Sequence, residues 1–360
     1  MQGQNYLGIY LSKDKATVVC LDWQGRDRNI LGCFSVSVQE REERNIGADM
    51  SELARLIAEG CAQRELEFSE VTVALDCELF MQHNLHSEFK DAKQISQTVR
   101  FDTEEALSTD ISDVAVAFKI TSSDQTGSRL TVFTAQRKVL SALLLSLQSN
   151  NIDPITVEPD INALSRFSLQ NVSLPGDSHS LLGVLSQRSG YFITFVKSQQ
   201  IPTMRTFLVD PRQNRTDLLV REVPLTTALA GTNEPIDCLK VFDSTDSVNY
   251  QQLSEKLGIE VGRVDLAESV VTSPQIIADC ANSADFAIAH GAALAHLEKA
   301  QSVNFRNDFM PYQGKKVRLQ KTLKVLSVSI SVLVLALGMY VTSQLLQWNK
   351  YRSRLREKFK

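Results

Sequence analysis

NVSLPGDSHSLLGVLSQRSGYFITFV, residues Asn171–Val196, is where the chain starts over. Its first ten residues, Asn171–Ser180, are polar and carry Pro and Gly, which marks a linker. The order of elements after the linker repeats the order before it. Leu181–Leu185, Tyr191–Val196 and Thr203–Val209 read as three meandering strands. A helix over Gln213–Ala230, a buried strand over Cys238–Phe242, a helix over Tyr250–Leu257 and a strand over Ile259–Val264 follow. Ala284–Ala300 closes the half as a helix. In the first half, Tyr6–Leu11, Ala16–Asp22 and Asn29–Val38 are again β-rich runs, separated by the polar turns SKDK and WQGRDR. Met50–Glu65 places Leu53, Leu56, Ile57 and Cys61 at helical spacing. VTVAL (Val71–Leu75) is the continuous apolar run of a strand buried on both faces. A helix over Gln136–Asn150, a strand over Pro154–Val157 and a helix over Asp160–Leu169, capped by Asp160, complete the half. Asp76–Ala135 interrupts it as an insertion, with a helix over Asp91–Leu107 and strands over Val114–Ile120 and Leu130–Thr134. Two such α/β halves, each a mixed sheet covered by helices, would face one another across a cleft.

Near the C-terminus, VLSVSISVLVLALGMYVTSQLL (Val325–Leu346) holds no charge and no Pro. About 20 helical residues cross a hydrocarbon core, so a single transmembrane helix is expected at 325–346. Lys315, Lys316, Arg318, Lys321 and Lys324 precede it, and Lys350, Arg352, Arg354, Arg356, Lys358 and Lys360 follow it. Tyr340 and Trp348 lie at its far end, where amphipathic rings favour the interface. With basic residues on both flanks, charge does not orient the span; the cysteines do. Cys20, Cys33, Cys61, Cys77, Cys238 and Cys280 show neither disulfide nor zinc spacing and sit in or beside apolar runs. The opening MQGQNYLGIYL is not a signal peptide. The large N-terminal domain is therefore expected in a reducing cytoplasm. A net charge of −4 gives no nucleic-acid signature.

The doubled β-β-β-α-β-α-β-α order with an insertion in its first half resembles the actin-like ATPase fold, two RNase H-like halves with an inserted subdomain. Four stretches are similar to the PilM/GspL group, the actin-like proteins of type IV pilus assembly and the L component of type II secretion. They are DAKQISQTVRFDTEEALSTDISDVAVAFKI (Asp91–Ile120), TAQRKVLSALLLSLQSNNIDPITVEPDINALSRF (Thr134–Phe167), DFAIAHGAALAHL (Asp285–Leu297) and SVNFRNDFMPYQGKKVRL (Ser302–Leu319). The organisation that follows is a first actin-like half over 1–170, with its insertion at 76–135, and a second half over 171–301. A juxtamembrane linker (302–324), the membrane helix (325–346) and a basic tail (347–360) complete it.

Actin-like ATPases hold Mg-phosphate with an Asp-x-Gly turn in each half. Here Tyr10 and Ser12 stand at those places in GIYLSKDK, and Val184 and Ser186 in GVLSQRSG. The expectation is a fold that does not hydrolyse ATP, with no cofactor and no catalytic residue. Gly291, in His290–Ala293, is the remnant of a nucleotide pocket, and close packing explains it equally well. His83 and His86 form HxxH without a third ligand, so no metal is expected. Asp102, Glu104 and Glu105 make an acidic helix face that is either solvated or a docking face for a basic partner. Phe305, Phe309 and Met310 are apolar residues in a short extended piece and need a groove. In the pilus relatives an equivalent peptide lies in a groove beside the inserted subdomain; here it would fold back on its own domain.

The resemblance implies an inner-membrane, single-pass assembly-platform protein that binds the secretion or pilus ATPase. Its other partners would be a single-pass platform protein (M-like or N/O-like), a second copy as a homodimer, and membrane lipids, with no nucleic acid. The competing expectation is a membrane-tethered actin-like ATPase that binds or hydrolyses ATP.

Overall fold

The computed structural model describes residues 4–24, 27–39, 45–107, 110–173, 179–195, 202–230, 235–267, 270, 279–280, 282–297 and 303–358. They form two compact units, Met1–Pro311 and Tyr312–Lys360.

The first unit opens with an antiparallel meander, β1 (Gln4–Leu11), β2 (Lys15–Gln24) and β3 (Asp27–Ser37). Helix α1 (Ile46–Gln63) follows; Asn45 caps it by accepting from the Gly47 and Ala48 amides, and Met50, Leu53, Ala54, Ile57 and Cys61 form its buried face. β4 (Glu70–Leu75) pairs parallel with β1. The insertion then contributes β5 (Phe80–Ser87), α2 (Ala92–Leu107), β6 (Val114–Ser123) and β7 (Ser128–Gln136), with its own sheet in the order β5-β7-β6. It thus has one strand more than expected: β5 is largely polar, and its pairing with β7 makes it a strand. Helix α3 (Arg137–Ser149), β8 (Thr156–Pro159) and α4 (Asp160–Asn171) complete a sheet of order β3-β2-β1-β4-β8. Pro159, not Asp160, is the N-cap residue of α4, and no side chain caps it. The Asp160 carboxylate is engaged elsewhere.

The second half is built the same way. β9 (Ser180–Leu185), β10 (Ser189–Phe195) and β11 (Thr203–Leu208) form the meander; α5 (Arg215–Ala230), β12 (Cys238–Asp243), α6 (Tyr250–Leu257) and β13 (Glu260–Arg263) extend it to the order β11-β10-β9-β12-β13. All six residues of β9 are buried, as a central strand covered on both faces requires. The closing helix α7 (Ser283–Ala293) is shorter than expected and passes into a 3₁₀ turn, Leu294–Leu297. The rest of the expected helix, 298–300, lies outside the described residues, as do 174–178 of the linker.

Helix α7 packs on β1 and on α4, and two glycines allow the approach. A methyl group on Gly8 would overlap the Ala289 carbonyl, and one on Gly291 the Ala163 carbonyl. Arg166 of α4 pairs with Glu158 at 2.9 Å and donates to the Gly291 carbonyl at 2.6 Å, so this buried charge is met by an acid. Gln82 of β5 reaches the free edge of β11: its amide donates to the Met204 carbonyl (2.6 Å) and its carbonyl accepts from the Thr206 amide (2.9 Å). One carboxamide thus does for an edge strand what another strand would do.

The second unit is a single helix, α8 (Gly314–Lys358), which contains the stretch 325–346. Among the described residues, no helix is long and apolar enough to cross a membrane. The side chains at 325, 326, 328–330, 332 and 333, within the expected span, lie outside the described residues. So do the side chains of the basic cluster 315–324, and residues 359–360 of the tail. Val334, Leu335, Met339, Leu345 and Trp348 of this helix are exposed.

Replacing Gly291 with Ala should lower thermal stability by about 1–3 kcal/mol, because the obstruction is backbone and cannot rotate away. Thermal denaturation of the variant, with Ala292→Gly as a control for altered helix propensity, checks this.

Candidate functional site

The parallel strands β4 and β8 end side by side where the two lobes meet, the place at which open α/β sheets commonly form their sites. Each strand is followed by an aspartate. Asp76 and Asp160 are 3% and 0% exposed. Asp76 accepts from the Tyr10 hydroxyl, the Glu78 amide (2.7 Å) and the Ser189 hydroxyl (3.2 Å). Asp160 accepts at Oδ2 from the Cys77 amide (2.8 Å) and the Tyr191 hydroxyl (2.7 Å). Ser189 and Tyr191 belong to β10 of the second lobe, so these carboxylates bridge the lobes. Asp160 Oδ1 has no hydrogen-bond partner among the described residues.

Burial pushes the Asp76 carboxyl above its ordinary range. Burial and then the neighbouring Asp76 push Asp160 well above it. Tyr10 and Tyr191 are likewise raised, first by burial and then by Asp76 and Asp160 respectively. A third buried acid, Asp285 at the start of α7, is raised by burial against the opposing pull of Lys15, whose ammonium stands 2.5 Å away.

Outside this layer lies a cavity of about 270 Å³, bordered by the β1–β2 and β9–β10 turns. Arg188 of one turn pairs with Asp14 of the other at 3.0 Å, and Lys13 pairs with Glu78 at 3.3 Å. Lys15 and Arg188 at the cavity, and Lys13 beside it, each face an acid of the protein. Tyr10 is 1% exposed and Val184 fully buried, so at both places where a metal-holding acid was sought a large or apolar side chain is packed instead. The acids of the cleft come from other strand ends. Gly291 lies away from the cavity, in the α4–α7 contact.

A second constellation surrounds Val303–Met310. This segment lies between the first lobe and the inserted subdomain. Phe305 is fully buried. The Asn304 carboxamide covers the free edge of β8, accepting from the Val157 amide (3.0 Å) and donating to the Ile155 carbonyl (3.2 Å). Arg306 donates to Asp153 (2.8 Å), to the Met310 carbonyl (2.9 Å) and to the Pro154 carbonyl. Asp308 reaches the insertion, meeting Arg100 of α2 at 2.5 Å and accepting from the Val116 amide of β6 at 3.1 Å. Phe309 lies under the Arg137 guanidinium at 5.3 Å, and Phe309 and Met310 are partly buried against the core. Phe305 therefore faces its own domain. Asp102, Glu104 and Glu105 sit apart on α2; Asp102 accepts from Thr98 at 3.2 Å, and Glu104 and Glu105 are exposed beside Phe101, itself 71% exposed. Sequence reading missed Asp76, Asp160, Asp285, Arg100, Arg306 and Asp308. A polar residue directly after an apolar strand was the available signal for the first two.

Residues 57–190 match the family model "Type II secretion system (T2SS), protein L". No curated protein matches. Among solved structures, a PilM–PilN type IV pilus biogenesis complex is similar at TM-score 0.61 and 17% identity, covering 81% of this chain and 98% of that one. The cytoplasmic domain of EpsL, an inner-membrane component of the Vibrio cholerae type II secretion system, aligns at TM-score 0.48 and 14% identity, covering 84% and 98%. The class is thus that of the actin-like ATPase fold. Within that fold, residues 57–190 are similar to the secretion protein L family, and this match contains two of the four stretches quoted above, Asp91–Ile120 and Thr134–Phe167.

Two expectations follow. An acid whose folded value is raised keeps a proton that the unfolded chain releases, so its contribution falls as pH rises towards the folded value. The chain should lose thermal stability as pH rises above the ordinary carboxylate range, and Asp160→Asn, which keeps an acceptor but no charge, should flatten that loss. Separately, Arg306→Ala removes charge-assisted hydrogen bonds worth about 1.5–3 kcal/mol each. Chymotryptic cleavage at Phe305 and Phe309 should then accelerate by about tenfold or more, read by mass spectrometry.

Proposed function

We propose that this chain is a non-catalytic assembly-platform protein of a type II secretion or type IV pilus system, held in a bacterial inner membrane by one helix at 325–346. Its actin-like body stands in the cytoplasm and links a secretion or pilus ATPase to membrane partners. The observation that carries the non-catalytic reading is Tyr10: its buried phenol donates to Asp76 at the place where an actin-like ATPase would hold Mg-phosphate. Any ligand there must displace a side chain that is part of the core. The match to the secretion protein L family and the likeness to a pilus complex support the platform role.

The membrane reading rests on the uncharged run Val325–Leu346 between its two basic flanks. Lys315–Lys324 would meet anionic headgroups at about 1 kcal/mol per basic residue near the surface. One similar solved structure is, by its name, a complex of PilM with PilN. Here the segment Val303–Met310 fills a groove of its own domain, and the acidic helix face of Asp102, Glu104 and Glu105, with the exposed Phe101 beside it, is offered to a basic partner. A second copy would pair through the helix and its basic tail.

Purification of the full chain from native membranes, after crosslinking, should recover a hexameric secretion ATPase and small single-pass proteins. Charge reversal at Glu104 and Glu105 should reduce recovery of the ATPase. The full chain in detergent should release no phosphate from Mg-ATP above the buffer blank. Turnover that rises with Mg²⁺ would instead establish the tethered ATPase.

A further inference from the structure

Three potential metal ligands converge beneath the cleft. One oxygen each of Asp76 and Asp160 and the Cys77 sulfur all lie within 4.8 Å of one another, and all three residues are buried. An acidic pair alone would mean little. The second observation is Asp160 Oδ1: the residue is fully buried, and that oxygen has no hydrogen-bond partner among the described residues. Ionised, Asp160 is met by donors at Oδ2 while Oδ1 is left without one; protonated at Oδ1, it leaves a hydroxyl with no acceptor among the described residues. Either state is costly for a residue as buried as Asp160. The groups that face this pair are Tyr10 from β1, Glu78 from the turn after β4, Ser189 and Tyr191 from β10, and the Lys15–Asp285 pair. Of these only Lys15 is cationic, and its ammonium is already bound to Asp285.

We propose that Asp76, Cys77 and Asp160 form a binding site for a borderline-soft divalent cation of the Zn²⁺ class, held without a nucleotide. The donor set decides the class. Zn²⁺ accepts thiolate sulfur at about 2.3 Å and carboxylate oxygen at about 2.0–2.2 Å. Mg²⁺ prefers six oxygens and keeps its waters, which a closed pocket with a thiol does not offer. Ligand atoms already within 4.8 Å of one another need only a small contraction to reach those bonds. Binding requires the Cys77 thiol to give up its proton and the carboxyl pair to give up any proton it holds; these protons leave to solvent as the metal–ligand bonds form. No electron changes hands.

The consequence is mechanical. Asp76 and Cys77 open the insertion, Asp160 opens α4, and both acids accept from β10 of the second lobe. A cation there ties the insertion, the first lobe and, through Tyr191 and Ser189, the second lobe into one body. Binding to the folded form alone would also stabilise it by mass action. This inference stands apart from the platform reading and neither needs the other.

The test uses the full chain in detergent, stripped with chelator and titrated with Co²⁺ alone. The expected result is one Co²⁺ per chain with a thiolate-to-cobalt charge-transfer band. Cys77→Ser should abolish that band, and Asp160→Asn should weaken binding by at least about tenfold. Cys238→Ser should leave the band unchanged, and circular dichroism should report whether each variant is folded. A measurement that needs no variant is proton release, which should be at least one H⁺ per Co²⁺ bound, with affinity that rises from pH 6 to pH 8. Absence of the charge-transfer band in the unsubstituted chain, its persistence in Cys77→Ser, or binding without proton release would each overturn the proposal.

Discussion

Two carboxylates kept out of water where two lobes meet set the terms for the rest of this molecule. Asp76 and Asp160 each follow a buried parallel strand, and each must find donors in the dry layer between the sheets. Donors come from both sides: Tyr10 from the first meander, Ser189 and Tyr191 from the second, and amides of Cys77 and Glu78 from the turn between. The cost of a buried acid with too few donors is large enough that the lobes have one favoured relation. Closure here is a matter of satisfying charge as much as burying apolar surface.

The same economy of polar groups recurs at the sheet edges. At three of the edge strands a single side chain meets the exposed backbone. Gln82 serves β11, Asn304 serves β8, and Asp308 serves the Val116 amide of β6. Two of these three residues belong to the segment just before Pro311. That segment therefore does more than connect: it closes edges of both the first lobe and the insertion, and it anchors itself with Phe305 in the core and Arg306 on the Pro154 carbonyl.

Where the actin-like fold would place a metal-holding acid, this chain packs a buried tyrosine that joins β1 to the end of β4. Lys13, Lys15 and Arg188, which in an anion site would be left for phosphate, are each spent on an acid of the protein itself. A rigid joint with balanced charge suits a protein that presents surfaces to partners. Under the proposed platform role, the exposed Phe101 beside Glu104 and Glu105 would be such a surface, on an insertion held by Gln82 to β11 and by Asp308 to the first lobe's closing segment.

The sequence by itself determined the element order, the doubled halves and the insertion, because burial on two faces leaves continuous apolar runs and a helix leaves a repeating stripe. It also determined the loss of the turn acids, since Tyr10 and Val184 are read directly. It left β5 without a strand pattern, because a polar edge strand is defined by its neighbour β7 and not by its own residues. It read Asp160 as a helix cap, which local spacing favours, whereas Tyr191 and the Cys77 amide, distant in sequence, recruit that carboxylate instead. It singled out Gly291 as a pocket remnant, while the packing of α7 on the Ala163 carbonyl explains the glycine. Only the tertiary structure brought Asp76, Cys77 and Asp160 together, because contacts between the ends of neighbouring strands join residues more than 80 positions apart (|i−j|=83 for Cys77 and Asp160) and no local pattern encodes them.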